Sequence, residues 1–300
     1  MRRFAALWMS LLTGTFAWAP AAFADDGAGS HLADLARFLD RDAPAQQRRD
    51  VFEGWRKAAL AGDVDAQYVV GSIYRRGDAI EPHVVERDAD QARRFLSTAA
   101  AHGRLLAMAK MAELELAEDH PLDATIWAQI YGYYRGWAGA KDKPDYQAHR
   151  ELQPTLYYEG LLQATAKAMA KKFNDQQTPT VVQQVNAFIA SHDKDVRADA
   201  WRYGIAPRWV GAQPKRELAN KKSFREANNG WTRVSVASEW VLDFAPDGSA
   251  SKARCFDALP NLKDCGAFHG LVMQYRVASA ADAPERYMLW TEERIKGEKL

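Results

Sequence analysis

Chemistry at a protein site requires histidines, cysteines, carboxylates or glycine-rich loops at particular spacings, and this chain offers few such patterns. Its seven histidines include no pair four residues apart, and none lies at zinc-binding spacing from a cysteine. The carboxylates between Glu113 and Asp119 could do acid–base work, but we favour a charged, solvated helix end. Neither a phosphate-binding glycine loop nor a G-x-S-x-G motif occurs. The sequence therefore predicts no catalytic residue, no metal ligand and no cofactor.

The first 24 residues have the pattern of a secretory signal peptide. Two arginines at positions 2 and 3 precede an apolar stretch that runs to about Trp18, and residues 22–24 (A-F-A) form a small-x-small cleavage site. The apolar stretch is shorter than the roughly 20 residues that span a membrane, so we expect cleavage rather than an uncleaved anchor. Loss of the two arginines would change the net charge from +1 to −1. We therefore expect a periplasmic or secreted protein of the bacterial envelope, without a membrane span.

The only two cysteines, Cys255 and Cys265, both lie near the end of the sequence. Secretion would place them in an oxidising environment, where disulfides form and persist. A bond between them would close a loop of about ten residues and stabilise the fold by roughly 2–3 kcal/mol. A redox pair or metal ligands are the alternatives, but no C-x-x-C motif and no nearby set of histidines supports either. We predict a structural disulfide.

A block of small residues that ends in glycine occurs twice, with a period of 41 residues. Residues 58–62 (A-A-L-A-G) form the first copy and residues 99–103 (A-A-A-H-G) form the second. Alanine has the best helix propensity and is small enough for helices to touch, and Gly62 and Gly103 accept the left-handed conformation that ends a helix. A fixed period of this length indicates stacked helical hairpins.

The residues of this block extend into a longer motif. The run A-A-x-x-G-x-x-x-A-x-Y-x-x-G-x-x-Y-x-x-G, followed by D-x-x-Q-A-x-x-F-L-x-x-A-A-x-x-G, resembles the Sel-one-like repeat, a relative of the tetratricopeptide repeat. The resemblance covers about residues 50–136, with one full unit. The loop after Gly77 is longer than the family's, and residues 111–117 lack the glycine and tyrosine of a second unit. The family implies protein–protein interaction without catalysis, and an ordinary alanine-rich helical bundle is the alternative.

The last 70 residues change from a helical to a strand-like pattern. Residues 231–244 and 250–256 form two strand-like runs around a tight Ala-Pro-Asp-Gly turn, and residues 262–278 and 287–295 could form a helix and a last strand. With the F-x-x-D-G turn, this order resembles the TonB C-terminal domain. The family's tryptophan is absent, since Gln274-Tyr275-Arg276 occupies the usual place of its W-x-Y, and two glycines weaken the helix.

These patterns predict a mainly α protein, in which a helical-hairpin repeat domain of solenoid type precedes a small α+β domain. The expected organisation is a signal peptide at 1–24, a helical repeat domain at 25–204 with a Sel-one-like core at 55–136, a linker at 205–229 and a TonB-like domain at 230–300.

The expected function is that of an adaptor or scaffold that binds proteins in the cell envelope, and not of an enzyme. The near-neutral net charge gives no indication of nucleic-acid binding. Tyrosine and tryptophan are enriched at binding hot spots, although packing at the end of the repeat is an alternative role for some of them. The predicted partner-binding residues are Tyr68, Tyr74, Trp127, Tyr131 and Tyr134. The alternatives are a TonB-related transducer or periplasmic helper that docks by strand addition, and an enzyme with an unrecognised site.

Overall fold

The computed structural model describes residues 28–138 apart from 79 and 81, and then residues 155–170, 177–203, 215–216, 233–260, 265–277 and 286–296. The predicted signal peptide lies outside the described residues, as does the predicted linker apart from residues 215–216. The described part is mainly helical and ends in a small antiparallel sheet with one short helix, which confirms the predicted fold class. None of the described helices is both long and apolar enough to cross a membrane.

Eight helices occupy the described part of the chain up to residue 203. They are α1 (Ala28–Phe38), α2 (Ala45–Leu60), α3 (Val64–Arg76), α4 (Ala89–Ala101), α5 (Leu105–Ala117), α6 (Pro121–Ala138), α7 (Thr155–Ala170) and α8 (Gln177–Tyr203). Consecutive helices pack against each other from α1 to α2 and from α2 to α6, and both α7 and α8 pack against α6. Helices α1, α3, α5 and α7 contact the C-terminal sheet and form an inner row, whereas α2, α4 and α6 form an outer row.

The helix boundaries follow from local capping chemistry. The side chain of Asp63 accepts a hydrogen bond from the backbone N–H of Ala66 (2.8 Å) and thereby caps α3, and Asp88 caps α4 in the same way. Gly62 and Gly103 have φ values of 98° and 80° in the turns after α2 and α4. The two predicted glycine stops are therefore confirmed.

Small residues allow the helices to approach closely. Ala66, Ala92 and Ala107 are completely buried between neighbouring helices. A Cβ atom on Gly71 of α3 would lie only 2.8 Å from Cγ of Leu96 in α4, so this contact requires glycine. The alanine-rich pattern of the sequence thus corresponds to close helix–helix packing, which contributes most of the stability of such helices.

The described residues after Tyr203 form one helix and two small sheets. The elements are β1 (Lys215–Arg216), β2 (Arg233–Phe244), β3 (Ala250–Leu259), α9 (Cys265–Val272), β4 (Tyr275–Arg276) and β5 (Arg286–Lys296). The larger sheet has the order β3-β2-β5 and is antiparallel, and β1 pairs with β4. The predicted order of strand, turn, strand, helix and strand is confirmed.

The helix in this part is shorter than predicted, and the prediction of a helix over 262–278 is wrong at its end. Tyr275 and Arg276 pair with β1, and the N–H of Val277 donates to the carbonyl of Gly248. These backbone hydrogen bonds replace those that a longer helix would make.

Each face of the larger sheet packs against a different partner. On the outer face, Trp240 and Leu242 pack with Phe268 and Val272 of α9 in a small separate core. Cys255 and Cys265 join this face to α9 in a disulfide with a Cα–Cα distance of 6.1 Å, as predicted. On the inner face, side chains of β2 and β3 belong to the same core as helices α1 to α8. They are Ala237, Val241, Phe256 and Leu259.

Candidate functional site

Three of the five predicted partner-binding residues are not on the surface. Tyr68, Tyr131 and Tyr134 are each 0% exposed, which corrects their prediction as surface residues. Tyr68 faces the C-terminal sheet, whereas Tyr131 and Tyr134 are covered by α7 and α8 through aromatic contacts with Tyr158 and Phe188. A helical pattern identifies these residues as one face of a helix, but it does not show that later parts of the chain cover that face.

The other two predicted residues are partly buried. The Tyr74 ring packs edge-on against Phe52 at 5.3 Å and stacks on Phe95 at 6.3 Å. The Trp127 ring meets Phe188 at 5.5 Å. Both therefore have packing roles, and their contribution to partner binding stays a prediction.

The inner row of helices instead meets the sheet through a buried group of charged and polar side chains, which we call the groove cluster. Helices α3 and α5 provide hydroxyl groups and cations, and strands β2 and β3 provide two carboxylates. The members are Tyr68, Ser72, Arg75, Arg76, Lys110, Glu239 and Asp257. Apart from Tyr68, none of them was predicted from the sequence.

Lys110 lies at the centre of the groove cluster and is completely buried. Its Nζ atom donates to Oγ of Ser72 (2.7 Å) and to Oε2 of Glu239 (2.5 Å), and it lies 2.9 Å from Oδ2 of Asp257. The same ammonium lies 4.1 Å from the ring centroid of Tyr68, close enough for a cation–π interaction. Lys110 therefore joins helix α5 to two neighbouring strands.

Tyr68 and Glu239 form the second connection between helix and sheet. The Tyr68 hydroxyl donates to Oε1 of Glu239 at 2.6 Å. Burial, reinforced by the negative charge of Glu239, raises the pKa of Tyr68 well above its ordinary value. Tyr68 therefore stays protonated and acts as a hydrogen-bond donor throughout the physiological range.

Asp257 is held by three cations. Nη2 of Arg75 donates to its Oδ1 atom at 2.7 Å, and Nε of Arg76 lies 3.8 Å from the same atom. Burial alone would raise the pKa of Asp257, but the charges of Arg75, Lys110 and Arg76 outweigh it and lower the pKa. Asp257 is therefore a buried carboxylate that stays ionised.

A β-bulge directs two neighbouring residues of β3 toward the helices. Glu239 is opposite Asp257 and Trp240 is opposite Cys255, so Phe256 is an extra residue in β3. The Phe256 ring lies 6.4 Å from the Tyr68 ring and 4.9 Å from the Lys110 ammonium. In regular strand alternation only one of two neighbouring residues would face the inner surface of α3 and α5, which we call the groove.

Glu113 extends the buried network to α7. It accepts a hydrogen bond from the Tyr157 hydroxyl at 2.7 Å. Burial raises the pKa of Glu113, because the Tyr157 hydrogen bond and the charge of Arg75 only partly offset it. The interpretation of the carboxylates after Met111 as a solvated helix end is therefore wrong for Glu113, and also for Glu115, which is buried beside Arg93.

Glu115, His120 and Asp123 each place one possible metal-ligand atom within 4.8 Å of the others. Glu115 already accepts from Nε of Arg93 at 2.7 Å and lies 2.9 Å from Nδ1 of His120. These hydrogen bonds lower the pKa of Glu115 against the effect of burial. Glu115 is therefore ion-paired with Arg93 of α4 and contacts His120 in the turn that precedes α6.

One sequence signal could have identified the groove cluster. Lys110 is the only polar residue between Leu105 and Ala112, and an isolated lysine in an apolar helical run indicates a buried, paired charge. Glu239 and Asp257 lack such a signal, because alternating strands carry polar residues on their solvated face.

Comparisons with protein families, with curated proteins and with solved structures found no match to this chain. The Sel-one-like and TonB-like resemblances therefore stay predictions. What the groove cluster can do chemically follows from its own geometry: tyrosine, arginine and lysine donors recognise two carboxylates presented by a β-hairpin.

Proposed function

We propose that this protein is a non-catalytic adaptor or scaffold that binds other proteins in the bacterial cell envelope. The observation that carries the proposal is the inner row of helices, which holds the chain's own β2–β3 hairpin through directed hydrogen bonds from Tyr68, Arg75 and Lys110. Stacked helical hairpins provide extended surfaces of this kind for binding other proteins.

The chemistry of the groove cluster supports a role in recognition. Replacing buried ion pairs by apolar side chains is often neutral or stabilising, so a core built only for stability does not need them. Buried polar groups can instead specify which partner fits and in which register. The groove cluster is such a set of groups, placed where two elements distant in sequence meet.

The envelope location is part of the proposal. The signal-peptide pattern of residues 1–24 supports it, and the Cys255–Cys265 pair is typical of proteins in oxidising compartments. Intact mass of the protein purified from its native envelope tests this. We expect a chain that starts at Asp25 and cysteines that react with a thiol reagent only after reduction; retained Met1 or free cysteines would contradict it.

Site-specific photo-crosslinking in the native envelope tests the adaptor function. A photoreactive amino acid replaces Leu60, Tyr133 or Val182, which are the exposed large hydrophobic residues of the described helices. As a control, it replaces the exposed Lys167 of α7. We expect a discrete protein adduct from at least one of the three apolar positions and none from position 167. The purified partner should bind the purified protein with a measurable Kd. The absence of specific adducts at all three positions would contradict the proposal.

A second candidate is a periplasmic helper that docks by strand addition. The observation that favours it is the strand order β3-β2-β5, which places β3 and β5 at the two sides of the larger sheet. The crosslinker at Ser251, an exposed residue of β3, distinguishes the two candidates. Adducts from Ser251 alone would favour docking through the sheet.

A further inference from the structure

The groove requires an acidic occupant. Arg75, Arg76 and Lys110 all lie within 4 Å of Asp257, and each of the three side chains is at least nine-tenths buried. Cations that are buried without a partner are strongly destabilising. The inner faces of α3 and α5 are therefore built around carboxylates, whatever chain supplies them.

The occupant in this structure is a β-hairpin with a specific pattern. Glu239 and Asp257 are directly opposite each other on β2 and β3, and the bulge at Phe256 directs a neighbouring aromatic ring into the same groove. Residues in such cross-strand pairs have Cβ atoms roughly 5 Å apart. The groove therefore recognises two carboxylates at cross-strand distance, accompanied by an aromatic side chain.

The chain's own hairpin satisfies this groove incompletely. Among the described residues, Nε of Arg75 and both Nε and Nη2 of Arg76 are buried and have no hydrogen-bond acceptor. Within the described part of the chain, the Arg76 side chain donates only to the carbonyl of its neighbour Gly77, and its 3.8 Å separation from Asp257 is too long for a hydrogen bond. Buried donors without acceptors are costly to leave unsatisfied, so a hairpin with a better placed carboxylate would bind this groove more tightly.

We propose that the groove is a receptor for an acidic β-hairpin of a partner protein, and that the β2–β3 hairpin is an internal occupant which that partner replaces. This inference rests on the proposed adaptor function and names the chemistry of its partner. The partner hairpin carries two carboxylates at cross-strand positions and an aromatic residue beside one of them. The intact β2–β3 hairpin keeps the groove closed until such a partner is present.

The test uses the full-length protein and a synthetic probe. The probe is a fluorescent peptide of residues 233–260 with Cys255→Ser, and its matched neutral form also carries Glu239→Gln and Asp257→Asn. The receptor is the full chain with Glu239→Gln and Asp257→Asn, which weakens internal occupancy. The control receptor carries Glu86→Gln and Asp195→Asn, two exposed carboxylates.

Fluorescence anisotropy gives the result. We expect the acidic peptide to bind the groove variant about tenfold or more tightly than the neutral peptide does, because charged hydrogen bonds are the stronger ones. We expect the control receptor to bind both peptides as weakly as the wild type. Equal or absent binding of the two peptides by a groove variant that retains wild-type helical circular dichroism would overturn the proposal.

Hydrogen exchange of the wild-type protein decides the question if the groove variant does not fold. An excess of acidic peptide should accelerate amide exchange in β2 and β3 while α3 and α5 stay protected, and the neutral peptide should not. No difference between the two peptides would overturn the proposal.

Concentration-dependent dimers in sedimentation, with the hairpin exchanged between two copies, would overturn the assignment to a partner protein. Neither failure affects the envelope crosslinking result, so the adaptor function is tested separately.

Discussion

Replacement of Lys110 by methionine tests whether the groove cluster holds real charges in the protein interior. Methionine keeps the length and apolar stem of lysine, so Lys110→Met creates little cavity. It removes the ammonium that donates to Ser72 and Glu239 and lies beside Asp257. Two buried carboxylates then lose a common cation.

The expected loss of unfolding free energy is about 3–5 kcal/mol, the usual cost of removing one partner from a buried ion pair. Lys110 is fully buried and each of its two carboxylate partners is at most 4% exposed, so solvent screening does not reduce this value. For a protein of this size each kcal/mol lowers the melting temperature by about 2–4 °C. The expected decrease is therefore roughly 6–20 °C.

Urea denaturation followed by circular dichroism measures this loss, with Lys57→Met on the exposed face of α2 as the matched control. The control should change stability by no more than about 0.5 kcal/mol. Adding Glu239→Gln to Lys110→Met should recover part of the loss, with a coupling energy of about 0.5–3 kcal/mol. If Lys110→Met is no more destabilising than Lys57→Met, the Lys110 ammonium does not stabilise the groove cluster.

Three further predictions concern packing, the disulfide and pH. Gly71→Ala should destabilise the protein by about 1–3 kcal/mol in thermal melts, because the added Cβ would lie 2.8 Å from Leu96. Gly54→Ala places its Cβ in open space on α2 and should stabilise the protein by up to about 1 kcal/mol. Equal effects of the two substitutions would contradict the close contact at Gly71. Joint replacement of Cys255 and Cys265 by serine should lower stability by about 2–3 kcal/mol in urea, as reduction of the wild type should, and unchanged midpoints would count against the disulfide. Burial raises the pKa of Glu113, so its stabilising effect is complete below pH 4.5 and is lost as the pH rises through the folded-state pKa. Glu113→Gln should therefore flatten the decrease in stability above pH 4.5, and parallel pH profiles for both proteins would exclude this cause.

The features that the sequence predicted correctly are local ones. The glycines at 62 and 103 end helices because their backbone conformation is fixed by the turn itself. The Asp247-Gly248 turn brings β2 and β3 together over a few residues, and Cys255 and Cys265 are only ten residues apart. Each of these outcomes depends on neighbours along the chain, so the residue pattern contains the necessary information.

The candidate site could not be predicted in this way, because its contacts join distant segments. Tyr68 and Glu239 are 171 residues apart, and Lys110 and Glu239 are 129 apart. Within its own helix, Tyr68 has the spacing of an aromatic residue on a binding face. Nothing in the local sequence distinguishes a helix face that stays open from one that a later sheet covers. The bulge that aims Phe256 and Asp257 into the groove depends on the register of β2 against β3.

The arrangement of charges explains why this closed groove is suited to selecting its occupant. An apolar sheet face beside α3 and α5 would leave Arg75, Arg76 and Lys110 buried without counter-charges, which is strongly destabilising. A hairpin slipped by one residue would turn Glu239 toward α9 and away from Lys110, since neighbouring strand residues face opposite sides of the sheet. Uncharged and misregistered strands would therefore both fit the groove poorly, and this is the selectivity that the proposed adaptor function requires.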